Sequence, residues 1–128
     1  MLRPLRHARL WFAIGIVILA VAIYLNLAPQ VPGPEFPNSD KLEHLLGWAG
    51  LTVWFGSVVQ RRLFGGLALA MLALGGTIEL LQAWMALGRQ GDWHDVVANA
   101  LGVSLGLLLA AARRDSWLSL VEKWLPAT

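Results

Sequence analysis

The sequence predicts an all-α fold: an integral membrane bundle of four transmembrane helices followed by a short, amphipathic, interfacial C-terminal helix. Three observations predict it. Hydrophobic residues make up 57% of the 128 and charged residues only 14%, with a mean hydropathy of +0.60, outside the range of ordinary soluble domains. Four apolar runs come near the roughly 20 residues that cross about 30 Å of hydrocarbon. The connections between them are short, so residues 1–128 are expected to form one membrane domain. The pI near 9.7 does not point to nucleic acid, because the arginines flank apolar runs, where setting membrane orientation explains them. With no cysteine, neither a disulfide framework nor a thiolate metal site is available.

The first helix is expected over about 10–28. Its run carries no charge and follows Arg3, Arg6 and Arg9, a pattern shared by signal peptides and first membrane helices. The helix reading is favoured because the run is long for a signal peptide and Asn26-Leu27-Ala28 meets Pro29 where a cleavage site needs small residues. Pro29, Pro32, Pro34 and Pro37 then withhold backbone donors and favour an extended loop.

The second apolar run is too short to span alone, so the second helix is expected to start near 40 and end near 60, taking Asp40, Lys41, Glu43 and His44 to the interface. Gln60-Arg61-Arg62 closes it. The third helix is expected over about 63–88, interrupted by Glu79 and Gln82, and Arg89 to Asp95 forms a polar turn. The fourth, about 95–112, contains Asn99 and stops at Arg113-Arg114. In the tail, about 116–125, Trp117, Leu118, Val121 and Trp124 share a face opposite Ser119, Glu122 and Lys123, which suits a helix lying in the membrane interface.

Arg3, Arg6, Arg9, Arg61, Arg62, Arg113, Arg114 and Lys123 fall on one side if four helices cross, and Lys41 and Arg89 on the other. The positive-inside rule then puts both termini in the cytoplasm. The second and fourth helices enter from outside with Asp40 and His44, and Asp95 and Asn99, each pair one turn apart. Gln82 and Glu79 lie roughly 9 and 13 Å below the outer end of the third. Charge at membrane depth costs about 2.5–3.5 kcal/mol on insertion scales, so these groups need partners. His44, Lys41 and Arg89 are the candidates for Glu79. Gly75, Gly76, Gly102 and Gly106 would let helices approach on the same faces, while the first helix, without ionisable residues in its span, is expected at the periphery.

The ordered set Asp40-Lys41-x-x-His44, Glu79-x-x-Gln82, Gly88-Arg89 and Asp92-Trp93-x-Asp95-x-x-x-Asn99-x-x-Gly102 resembles the VanZ-like family of small bacterial membrane proteins. The resemblance covers about 40–106. Trp48 departs from it, standing where a tyrosine or phenylalanine is more usual. The resemblance implies a bacterial inner-membrane protein of the cell envelope, with a link to resistance against the lipoglycopeptide teicoplanin.

His44, Glu79 and Asp95 are thus the candidate catalytic residues, and Asp40, Lys41, Gln82, Arg89, Asp92 and Asn99 the candidate ligand contacts. The first functional reading is binding or handling of an amphiphilic envelope molecule (a phospholipid, a lipid-linked glycan precursor or a lipoglycopeptide) held by Arg89 and Lys41 among membrane lipids. The second is an intramembrane hydrolase or transferase with Glu79 or Asp95 as base, His44 as its partner and Arg89 stabilising developing charge. A third is a proton-coupled transporter turning on Glu79. For several of these residues a purely structural role competes: ion pairing for Glu79, capping the fourth helix or serving as its first-turn acid for Asp95, a helix-to-helix hydrogen bond for Asn99, a solvated turn for His94. No spacing demands a metal, although His44, Glu79 and Asp95 are donors that suit zinc or manganese. Cofactor and oligomeric state are unassigned.

Overall fold

The computed structural model describes residues 1–29, 37, 39–85, 92–112 and 115–125. Arg89, the Arg113-Arg114 pair and nearly all of the proline-rich connection lie outside the described residues. Helices α1 (Ala8–Leu27), α2 (Ser39–Val58), α3 (Phe64–Met85), α4 (Trp93–Ala112) and α5 (Trp117–Trp124) follow in chain order, with a 3-10 turn at Arg61–Leu63 leading into α3. Among the described residues there is no strand, and one isolated bridge pairs Leu2 with Val59. α1 stops where expected: Ala28 turns extended, with its N–H still bonded to the Tyr24 carbonyl, and Pro29 cannot continue the helix.

Three segments, Ala8–Leu27, Arg61–Met85 and Trp93–Ala112, are long and apolar enough to cross a membrane. α2 is not among them, because Asp40, Lys41 and Glu43 enter its first turns. It is nevertheless the most enclosed helix, burying His44, Trp48, Ala49, Leu51, Thr52, Phe55, Gly56, Ser57 and Val58. A helix surrounded by protein can be less apolar than one facing lipid, and that is the arrangement here. α1 buries only Gly15, which agrees with its expected peripheral place. Leu69, Leu80, Leu101 and Leu108 stay more than half exposed, the surface expected of helices that meet hydrocarbon.

The closest packing joins α2 to α4. The buried residues of α4, Asp95, Ala98, Asn99, Gly102, Val103, Gly106 and Ala110, form one stripe at helical spacing. A Cβ on Gly102 would meet the Leu45 carbonyl oxygen, and one on Gly106 would lie 2.6 Å from the Ala49 carbonyl oxygen, so backbone rests nearly on backbone. Across the same seam Gly56 faces Ala110. Gly75 performs a similar service on α3, where a Cβ would lie 3.3 Å from the Trp48 ring and 3.2 Å from the Asn99 amide nitrogen. Gly76, expected at the same contact, faces open space.

The two ends of the bundle differ in chemistry. At one end Arg3 N–H donates to the Val58 carbonyl, Arg61 donates to the Ala111 carbonyl, and Trp11, Trp54 and Trp117 meet edge to face, with centroids 6.1 and 5.6 Å apart. α5 docks here. Ser116 caps it by accepting from Leu118 N–H, and Leu118 is fully buried, so the segment is anchored to the bundle through Leu118 while Trp124 remains exposed. Glu122 accepts from the backbone N–H of Arg6 and His7, both at 2.8 Å, and from the Trp11 indole at 2.9 Å. It thereby supplies an acceptor at the start of α1, whose own cap residue, His7, makes no side-chain cap bond.

Partial burial opposes the Glu122 charge, but these three donors outweigh it and hold the carboxyl below a glutamate's ordinary 4.5. A carboxyl depressed on folding stabilises above its unfolded value, and that contribution is lost as pH falls through the lower folded value. Glu122→Gln is therefore expected to loosen α5 at pH 7 by about 1 kcal/mol, the charged hydrogen bonds being discounted for exposure. Hydrogen exchange over 117–124 reads it, and the variant should be protected as the native chain is once that chain is acidified far enough to protonate Glu122. Equal protection in both at pH 7 would remove Glu122 from the docking contact.

Candidate functional site

The opposite end holds the polar cluster, in two tiers. The local fold of α4 sets it up. Asp92 is the residue that caps α4: its carboxylate accepts from His94 N–H at 2.9 Å and faces the His94 ring at 2.7 Å. The backbone donation of His94 first, then its ring, holds the Asp92 carboxyl below its usual range. Capping, one of the two structural roles open to Asp95, is thus done three residues earlier, because the helix starts at Trp93; Asp95 takes the other and is the acid of the first turn. His94 is exposed and spent on that turn. Asp95 is released from the cap and turns inward, 6% exposed.

The rim tier is Asp40, Lys41 and Asp92. Lys41 Nζ lies 3.4 Å from Asp92 Oδ2, 3.5 Å from Asp40 Oδ2 and 3.9 Å from Asp95 Oδ1. The lysine expected to receive an anion is therefore already among three carboxylates.

The buried tier is His44, Glu79, Asp95 and Asn99, each no more than 7% exposed, delivered by three helices. His44 Nδ1 is 2.9 Å from Asn99 Oδ1 and 3.6 Å from Glu79 Oε1, and its Nε2 is 3.9 Å from Asp95 Oδ2. As placed, the Asn99 carbonyl makes Nδ1 the protonated ring nitrogen. Both Glu79 oxygens, Asp95 Oδ1 and Asn99 Nδ2 are buried without a hydrogen-bond partner, in a protein interior where such groups are normally satisfied. One ligand atom from each of His44, Glu79 and Asp95 falls within 4.8 Å of the others.

Gln82 does not join this tier. Its side chain donates to the Asn26 carbonyl at 2.7 Å and ties α3 to α1, because i+3 from Glu79 points to the neighbouring helix. Thr77, two residues before Glu79 on α3, is exposed and bonded back to the Ala73 carbonyl.

Beside His44 runs a groove of about 220 Å³ between α1 and α2, floored by α3. Leu19, Ala22, Ile23, Trp48, Leu51 and Ile78 form its apolar walls, and Asn26, Glu43 and His44 its polar end. Glu43 and Asn26 were not expected here. Their signal was available, since Glu43 adjoins His44 and Asn26 is the one amide in α1, near its C-terminal end, but which face each presents depends on the angle between helices.

Among known proteins the chain is 37% identical over 101 residues, 76% of its own length, to an uncharacterized protein of Schizosaccharomyces pombe, and it spans 60% of that relative's length. No family model matches the chain, and no solved structure does. These findings overturn the resemblance to the bacterial VanZ-like family: the relative is eukaryotic and no family pattern is met. The teicoplanin link and the bacterial envelope setting rested on that resemblance and go with it. The structure gives the physical reason the motif misled. Asp92 is a helix cap, Gly102 is a packing contact and Gln82 is a tie between helices, roles that recur in many small helical bundles.

Proposed function

We propose that this chain is a four-span membrane protein, with both termini on the arginine-rich side, that binds an amphiphilic lipid through the groove between α1 and α2. The groove is the observation that carries this reading, because its walls are apolar and one end reaches the polar cluster. Its volume, about 220 Å³, is below the roughly 300–1,000 Å³ of drug-sized pockets and above the roughly 150 Å³ of a cavity that accepts benzene. That size suits a stretch of one alkyl chain. Exposed Leu25, Leu42 and Leu46 lie on the same two helices, so the groove continues into the surface that would face lipid.

Glu43 and His44 at the polar end, and the three carboxylates around Lys41, favour a headgroup that donates hydrogen bonds or carries an amine over a bare phosphate. A binding role needs no nucleophile. It also fits the fourth span: α2 would cross with its charged first turns covered by protein, as intramembrane charges require.

Gly47 provides the test. It lines the groove, and a Cβ there meets nothing within 4 Å, so Gly47→Leu starts from open space and places its side chain in the groove. The exchange also favours the helix by about 1 kcal/mol. Native mass spectrometry of the detergent-solubilised chain is expected to find a copurifying lipid, and Gly47→Leu to lower its occupancy at least about 10-fold, a loss of ~1.4 kcal/mol in binding, while remaining folded. Lipid retained in full by a folded Gly47→Leu would sink the reading.

A further inference from the structure

We propose that His44, Glu79 and Asp95 hold a divalent metal ion of the zinc or manganese class at the polar end of the groove. The inference rests on the reading of this cluster as the working site and says what completes it. One imidazole nitrogen and two carboxylates are the donor set that such ions take. The three side chains come from three helices, and their ligand atoms lie within 4.8 Å of one another. Two atoms each about 2.1 Å from an ion in tetrahedral geometry are about 3.4 Å apart, so the widest pair of the set must close by about 1.4 Å. Glu79, with neither oxygen hydrogen-bonded, is the arm free to make that movement.

Burial makes the case independently of spacing. Glu79 is 95% buried, being 5% exposed; neither of its oxygens is hydrogen-bonded, and one lies 3.6 Å from His44 Nδ1. A pair of carboxylates enclosed by helices is expensive unless something positive joins them. Lys41 reaches the inner tier only at Asp95, 3.9 Å away, and shares its charge there with Asp40 and Asp92 on the rim. A doubly charged ion held by Glu79, Asp95 and a neutral imidazole leaves the inner tier with no net charge. Asn99, 2.9 Å from His44 Nδ1, fixes the ring as an outer-shell partner does in metal sites.

The full-length chain, purified in detergent and stripped with a chelator, is titrated with Zn²⁺ or Mn²⁺ alone. One ion per chain is expected. Glu79→Gln and His44→Gln should weaken uptake more than about 100-fold, beyond the 10–100-fold typical of losing an outer-shell partner, and Ser104→Ala, on the exposed face of α4, should leave it unchanged. Should either cluster variant fail to fold, the native chain still decides. X-ray absorption of the Zn²⁺ form and pulsed electron paramagnetic resonance of the Mn²⁺ form should each show one imidazole nitrogen among oxygen ligands.

A folded, stripped chain that takes up neither ion, or binds one without imidazole nitrogen, overturns the inference. The two proposals fail separately. Lipid retained by a chain that binds no ion removes the metal and leaves the groove. An ion bound by a chain that carries no lipid and is indifferent to Gly47→Leu does the reverse.

Discussion

Gly102→Val is expected to cost about 3 kcal/mol of stability and to dismantle the polar cluster with it. Overpacking ordinarily costs about 1–3 kcal/mol when side chains can shift. At Gly102 the atoms in the way are backbone: the Leu45 carbonyl, with Ala49 N at 3.1 Å, beside Trp48 Cβ, also at 3.1 Å. Backbone cannot rotate aside, so α2 and α4 must separate, which places the cost at the upper end of that range. Separation also opens the 2.9 Å contact between His44 and Asn99, one residue and three residues from the clash. Unfolding in mixed detergent micelles, followed by tryptophan fluorescence, measures it. Gly76→Ala is the control, since a Cβ there meets nothing within 4 Å and the exchange should be neutral or stabilising. Equal stability of the two variants would mean that the α2–α4 seam is not the close contact described.

Removing His44 is expected to be the second large effect, and its signature is non-additivity. The imidazole stands between Glu79 and Asp95 at 3.6 and 3.9 Å. His44→Leu leaves two buried carboxylates and the Asn99 carbonyl facing an apolar side chain, and a buried polar group left without its partner costs about 1–3 kcal/mol, more where that group is charged. Converting the partners as well reverses much of that cost, because well-packed apolar replacements of buried ionic groups are often neutral or stabilising. The triple variant His44→Leu, Glu79→Met, Asp95→Leu should therefore recover at least about 2 kcal/mol over His44→Leu alone. It would be a stable bundle without ion binding, which separates the cluster's chemistry from its part in holding the fold. Additive losses across the three positions would instead assign these side chains to packing.

Much of this protein is legible in one dimension, for definite reasons. Hydropathy over about 20 residues reports solvation in hydrocarbon directly, so α1, α3 and α4 follow from composition, and Pro29 marks the end of α1. The one-turn spacing of Asp95 and Asn99, continued by Gly102 and Gly106, places all four on one face because a helix has 3.6 residues per turn. That periodicity also brings His44, Glu79 and Asp95 to one end of the bundle. The grouping of Arg3, Arg6 and Arg61 at the other end follows from the alternating direction of successive helices.

Tertiary structure alone decided which of these residues touch. Asp92 rather than Asp95 caps α4, since the first hydrogen-bonded turn, not the first acid, sets where a helix begins. Gln82 leaves the cluster for Asn26, Glu43 lines the groove, and Lys41 is shared by three carboxylates; each outcome depends on interhelical angles that no spacing along the chain encodes. Glu122, 115 residues from His7, becomes its acceptor for the same reason. Spacing assigned no metal to His44, Glu79 and Asp95, because their ligand atoms converge only after three helices pack. The sequence by itself determined that polar groups gather at one end of an apolar helical chain; the packing of α2 against α4, through glycines that let backbones meet, decided that His44, Glu79 and Asp95 face one another with oxygens left to bind.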